Sequence, residues 1–321
     1  MAIREHGQFR FGIPYQGSKN AIADKLIRCL PSADTFVDMF CGGCSMTHAA
    51  IMSGKFRNIV CNDADGSMVE LVQELFDGMH LDDFRWVSHE DFNVLKHTEK
   101  YVALLWSYGN NQREYLFSRE SEPYKKAMHH AIFLHDYSLM DEYGFDLRCI
   151  DIYKAPYLRF TAFLQYFDGL ARRVKNGIGT FNGLTQKQIE NFMRHQWYDK
   201  VLSLQHFASL RTTGFTKPTF YSLDYSAVPV EGDCVVYCDP PYRGTKGYKC
   251  DFDMERFDEW CLSQVVPVFI SEYTMPEQFV SICEVNRSTN GIFRKDILEM
   301  PTEKLFIPKK DFLDYSKECI F

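Results

Sequence analysis

The run CVVYC at residues 234–238 is closed by Asp239-Pro240-Pro241-Tyr242, and this junction limits what the chain can fold into. A short, β-branched and aromatic segment with Gly232-Asp233 before it and prolines after it reads as a buried strand. Neither proline has an N–H for a ladder, and each pushes its predecessor into extended geometry, so the backbone leaves the sheet stiffly. Asp239 is then held at the lip, with the Pro240 carbonyl beside it and the Tyr242 ring just beyond. In an open α/β sheet that lip, at the carboxyl ends of the strands, is where ligands bind. Taken alone, the junction also has a plainer, less favoured reading as a strand followed by a capped Pro-Pro turn. As chemistry, a carboxylate and a carbonyl are both acceptors, and beside an aromatic face they suit a flat ring bearing an exocyclic amino group.

Other short apolar runs end in the same way. TFVDMF at 35–40 is a second strand; it enters Cys41-Gly42-Gly43-Cys44-Ser45 and then a helix over THAAIMSG. Small residues there let a ligand approach the backbone, and the helix amino terminus adds a favourable dipole. The two glycines do not make the G-x-G-x-x-G fingerprint. NIVCNDAD at 58–65 is a third strand, ending in Asn62-Asp63. An acid at that distance beyond a glycine turn is placed to bond a ribose, although Asp63 or Asp65 can instead cap the helix SMVELVQELFDG. Strand signals resume at TFYSLDY (219–225), CVVYCD, VVPVFISEY (265–273), CEVNRSTNG near 283 and KLFIPK near the end. Strands alternating with helices predict a doubly wound α/β sheet. Its ligand edge collects Asp38, Gly42-Gly43, Asp63, Asp224 and Asp239.

Residues 80–215 differ in character, being rich in aromatics, charge and histidine. EPYKKAMHHAIFLHDYSLM and LTQKQIENFMRHQWYDKVLSLQHFASL carry helical patterns, and RRVKNGIGTFNG between them reads as a basic loop or hairpin. The stretch is expected to be a mostly helical insertion between the early strands (1–79) and the late ones (216–321).

The 321 residues suffice for a sizeable core. No run of roughly 18 apolar residues is present, so no membrane span is expected, and MAIREHGQFRFG lacks an apolar signal core, which points to the cytoplasm. Eleven cysteines without an export signal imply reduced thiols. Cys41-x-x-Cys44 has no second pair or matching histidine cluster at zinc spacing, and His129, His130 and His135 fall on a helical pattern, so no metal is expected. A net charge of −7 is not that of a constitutively basic nucleic-acid binder. Contacts to such a polymer must come from local clusters, of which Arg172, Arg173 and Lys175, and Arg243, Lys246 and Lys249, are the clearest. By themselves these are also ordinary solvated faces.

PYQGSKN (14–20), DMFCGGCS (38–45), CNDAD (61–65), SLDY (222–225) and YCDPPY (237–242), in this order around a large insertion, resemble the S-adenosylmethionine-dependent DNA adenine methyltransferases. Within them they look like the Dam-like alpha group, in which the glycine turn precedes the recognition domain and Asp-Pro-Pro-Tyr follows it. The resemblance implies a Rossmann-like methyltransferase sheet in two parts, 1–79 and 216–321, around a target-recognition domain at 80–215. It implies that Asp239 and the Pro240 carbonyl accept hydrogens from the amino group of an adenine flipped out of double-stranded DNA, with Tyr242 stacked on the base. Lys19, Asp38 and the Gly42-Gly43 backbone would lie near the methionine part of S-adenosylmethionine, Asp63 at its ribose and Asp224 at its adenine. Phe40 and Tyr15 would each pack against the cofactor or belong to the core. Arg172, Arg173, Lys175, Arg243, Lys246 and Lys249 would hold DNA, and the chain is expected to act as a monomer, with a cognate restriction endonuclease admitted but not required. Rival readings are methylation of cytosine, RNA or a protein amide, a DNA-binding protein that has lost catalysis, and a nicotinamide dehydrogenase, the last disfavoured by the missing glycine fingerprint.

Overall fold

The computed structural model describes residues 11–178, 180–193, 195–243, 252–285, 302–313 and 315. In chain order the strands are β1 (Thr35–Asp38), β2 (Asn58–Asn62), β3 (Thr219–Tyr221), β4 (Cys234–Cys238), β5 (Val268–Glu272), β6 (Phe279–Val285) and β7 (Glu303–Pro308). The main helices are α1 (Ala23–Arg28), α2 (Ser45–Ser53), α3 (Gly66–Phe76), α4 (His89–Leu95), α5 (Lys100–Leu105), α6 (Glu122–His129), α7 (Ser138–Glu142), α8 (Pro156–Arg173), α9 (Gln186–Asn191), α10 (Gln196–Ala208) and α11 (Met254–Ser263). The chain divides into two compact units, Met1–Leu81 with Leu202–Phe321, and Asp82–Val201.

The first unit is built on one sheet of order β3-β2-β1-β4-β5-β7-β6. Strands β1 to β5 pair in parallel, whereas β7 runs antiparallel to both β5 and β6. The fold is thus the expected doubly wound α/β sheet. Its central strands are buried on both faces, as β1, β4 and β5 show, which explains why they read as continuous apolar runs rather than alternating ones. Strand β5 begins at Val268, directly after Pro267 and three residues inside the expected segment, because a proline donates nothing to a ladder. Residues 202–215, expected in the insertion, group with the sheet: the second half of α10 sets His206 and Phe207 against His48 of α2, at 4.9 and 5.9 Å between ring centroids.

The second unit is helical around an aromatic core. Trp106 and Trp197 lie 5.3 Å apart, and His129 sits 4.6 Å from Trp197. Phe163, Phe167 and Phe192 stack at 4.6 and 4.8 Å. Its helices are shorter than the periodicity suggests. The first pattern breaks where the chain widens after α6 and His135 turns left-handed at φ 56°, and the second breaks between α9 and α10. Thr185 caps α9 reciprocally with Gln188, a capping box spelled out in TQKQ. Arg172 and Arg173, expected in a loop, instead form the last turn of α8, where positive charge complements the helix dipole.

Candidate active site

Strand order reverses between β1 and β4, the place in such a sheet where a crevice opens outside the carboxyl ends. Register sets Asp38 opposite Tyr237 there, and Asp239 follows immediately as the chain leaves β4. Asp239 is 19% exposed and receives the Lys19 ammonium on both oxygens, at 2.6 Å each. That ammonium lies 3.8 Å from Glu303 and 4.7 Å from the centre of the Tyr242 ring. Glu303, at the start of β7, is fully buried and accepts from the Tyr242 hydroxyl and from Ser271 Oγ, the latter at 2.7 Å. Lys19, for which the resemblance implies a place near the methionine part of the cofactor, thus sits on Asp239 above the Tyr242 ring. Burial raises the Asp239 carboxyl above the usual range although Lys19 opposes the rise. Burial likewise raises the phenol of Tyr242, so it stays protonated and donates.

The glycine turn is compact. Gly42 donates its N–H to Asp63 Oδ2 at 2.9 Å, and Asp65 donates to Oδ1 at the same distance. Asp63 therefore holds the turn to the end of β2, while Asp65 caps α3 by accepting from Met68. Tyr15 covers the turn: a Cβ built on Gly43 would stand 2.6 Å from Tyr15 Cβ and 2.8 Å from the Ile13 carbonyl. Gly12, at φ +69°, lies so close on the other side that its Cβ would come within 2.3 Å of the Gly43 oxygen. Asp38 is buried and accepts from both Thr47 N and Thr47 Oγ1, at 3.0 and 2.7 Å. It fastens the first turn of α2 to β1, and burial pushes its carboxyl well above the ordinary value. Phe40 packs among Tyr225, Phe252 and Phe257 at 5.7–5.9 Å.

The remaining expected residues are distributed unevenly. Asp224 is gripped by Arg256 through both guanidinium nitrogens, at 3.1 and 2.7 Å, and also bonds Ser226. The Arg243 guanidinium is 2.5 Å from Asp258, its backbone N–H donates to Glu272, and its side chain is about a quarter exposed. Lys246 and Lys249 lie outside the described residues. In the helical unit Arg172 pairs with Asp168 one turn back, and Arg173 and Lys175 are exposed. No group of histidine, cysteine or acidic residues among the described residues could hold a metal ion, and no described helix is long and apolar enough to cross a membrane. Sequence reasoning missed Glu303, Ser271 and Glu272. The one available signal was an acid set directly before the apolar run KLFIP, where a carboxylate entering a sheet needs partners.

No curated protein matches the chain. Among solved structures, the rRNA methyltransferase aviRa from Streptomyces viridochromogenes aligns over 95% of this chain and 89% of its own, at 11% identity and a TM-score of 0.36; so remote a likeness adds nothing to the reading of the site. The family model of the D12 class N6 adenine-specific DNA methyltransferases matches residues 15–259, a span that takes in Lys19, the glycine turn, Asp63, Asp224 and Asp239, and the chain belongs to that family.

Proposed function

We propose that the chain methylates the exocyclic amino group of an adenine in double-stranded DNA, using S-adenosylmethionine and a base turned out of the stack. The observation that carries this is the Lys19 ammonium on both oxygens of Asp239. The site already accepts a nitrogen with two hydrogens directed at one carboxylate. In the reaction Asp239 and the Pro240 carbonyl take the hydrogens of the adenine amine and aim its nitrogen, a positioning effect worth about 7–11 kcal/mol when well aligned. Lys19 must yield Asp239 to the base, and Glu303, 3.8 Å away, gives the ammonium a second carboxylate to turn to. Inside a duplex the amine cannot reach so enclosed a carboxylate, so the base leaves the stack at a cost of a few kcal/mol.

The residues at the switch point fit the cofactor. Asp63 accepts from the Gly42 N–H and stands at the end of β2 on the same edge, where a ribose hydroxyl would find a carboxylate. The Gly42-Gly43 backbone offers a surface without side chains on the same edge, and Asp38 acts through α2 by fixing its first turn. When bound, S-adenosylmethionine supplies an electrophilic methyl group on a positively charged sulfur, which suits an acidic edge.

Transfer of labelled methyl from S-adenosylmethionine to unmethylated genomic DNA, followed by nucleoside analysis, tests the reading. Label in N6-methyladenine, abolished by Asp239→Ala with cofactor binding retained, is the expected result. Label in cytosine, RNA or protein, or cofactor binding without any transfer, would overturn it.

A further inference from the structure

Two thiols far apart in sequence meet at the surface of the sheet unit. Cys29 is the residue that closes α1, and Cys283 lies on β6 just past the irregular register at Ser281/Cys283. Their sulfurs are 2.7 Å apart, across 254 residues of chain, and both cysteines are partly exposed. Most other described cysteines are buried, among them Cys41, Cys44, Cys61, Cys234, Cys238 and Cys261. Cys29 is also held in place: its carbonyl accepts from the Tyr315 hydroxyl at 2.9 Å, and its Sγ points back to the Lys25 carbonyl at 3.5 Å. Proximity, access and a fixed partner are what intramolecular thiol chemistry requires.

We infer that Cys29 and Cys283 are a thiol–disulfide site that takes a small-molecule disulfide of the glutathione class as oxidant. The Cys283 thiolate attacks one sulfur of the oxidant, forming a mixed disulfide and releasing one small thiolate. Cys29 then loses its proton and attacks the Cys283 sulfur, forming the protein S–S bond and releasing the second small thiolate. Two protein thiols are oxidised and one disulfide is reduced to two thiols. The hydrogen bond from Cys29 lowers the Cys283 thiol to about 7, which supports Cys283 as the first nucleophile.

The position of the bond gives it a consequence. Lys19 is anchored to α1, its carbonyl accepting from Ile22 and Ala23 at 2.8 Å. Across the β6–β7 ladder Cys283 faces Leu305, and two residues on Val285 faces Glu303. Oxidation therefore ties the segment that carries Lys19 to the hairpin that carries Glu303.

The test needs no catalytic readout. The full chain is incubated with glutathione disulfide and digested without reduction, and peptides are identified by mass. The expected result is a linked pair of peptides holding Cys29 and Cys283, lost on adding dithiothreitol, with a melting temperature raised by roughly 3 °C or more in the oxidised protein. Cys29→Ser should take up one glutathione at Cys283 instead, with no linked pair and no rise, which separates missing reactivity from missing geometry. Stable glutathione adducts on both cysteines of the unsubstituted chain, or no reaction at either, would overturn the inference.

Discussion

Lys19 neutralises a carboxylate that burial disfavours, so its removal has a predictable sign. Burial raises Asp239 above its usual value of 3.8, and the Lys19 ammonium is the main opposing influence. Lys19→Met should raise the carboxyl by about 1–3 pH units more, the usual reach of an adjacent opposite charge. In the proposed reaction Asp239 accepts the amine in its ionised form, so the pH–rate profile of methyl transfer should show its acid limb displaced upward. An acid limb at an unchanged pH would remove Asp239 as the titrating group. Steric predictions are as direct. Gly12→Ala forces a left-handed backbone and places a methyl 2.3 Å from the Gly43 oxygen, and it should lower stability in urea by about 2 kcal/mol or more. What could be read at this scale was whatever lay next to a strand end: Asp63 and Asp239 stand out because glycine or proline follows or precedes an apolar run. Glu303 could not be read so, since its partners Tyr242 and Ser271 come 61 and 32 residues earlier. Neither could the Asp224–Arg256 grip, which joins two charges that each look solvated in the sequence.

At the scale of elements, the helical unit carries its own acid sensitivity. His129 and His195 are buried among Trp106, Trp197 and Phe133, and burial lowers both; His129 falls from 6.5 to about 3. Neighbouring His129 and Lys125 lower His195 further. Below pH 6.5 the unfolded chain binds protons that the folded one refuses, so stability is full above that value and is lost on acidification. Each histidine costs about 1.4 kcal/mol per pH unit within its window. His195 is buried among aromatic rings, and His195→Phe should keep the packing while removing one titrating group. The fall in melting temperature between pH 7 and pH 5 should shrink in that variant; an equal fall in both proteins would place the acid sensitivity elsewhere. Helical character was legible here because apolar residues recur every three to four positions. Helix ends were not, because the turn at His135 rests on a residue with no intrinsic preference strong enough to announce it.

For the whole molecule, a charge of −7 and a polyanionic substrate oppose one another, so DNA affinity must come from a few local cations and must fall steeply with salt. Lys175 is exposed after the last turn of α8. If it meets a phosphate, Lys175→Ala should reduce the slope of log affinity against log salt by about 0.9 for duplex DNA; an unchanged slope makes it an ordinary solvated lysine. The sheet's parallel half was legible from alternating strands and helices, but the insertion of β7 between β5 and β6 was not, since no periodicity records which neighbour a strand will choose or in which direction. That late strand also sets a timetable. Lys19 waits 220 residues for Asp239, and Tyr242 waits 61 more for Glu303. A chain emerging from the ribosome has the glycine turn and the helical unit long before it has the carboxylate that holds Tyr242 and stands beside Lys19. Synthesis stopped short of β7 therefore yields a product in which Lys19 and Asp239 are both present and the carboxylate that holds Tyr242 is still missing.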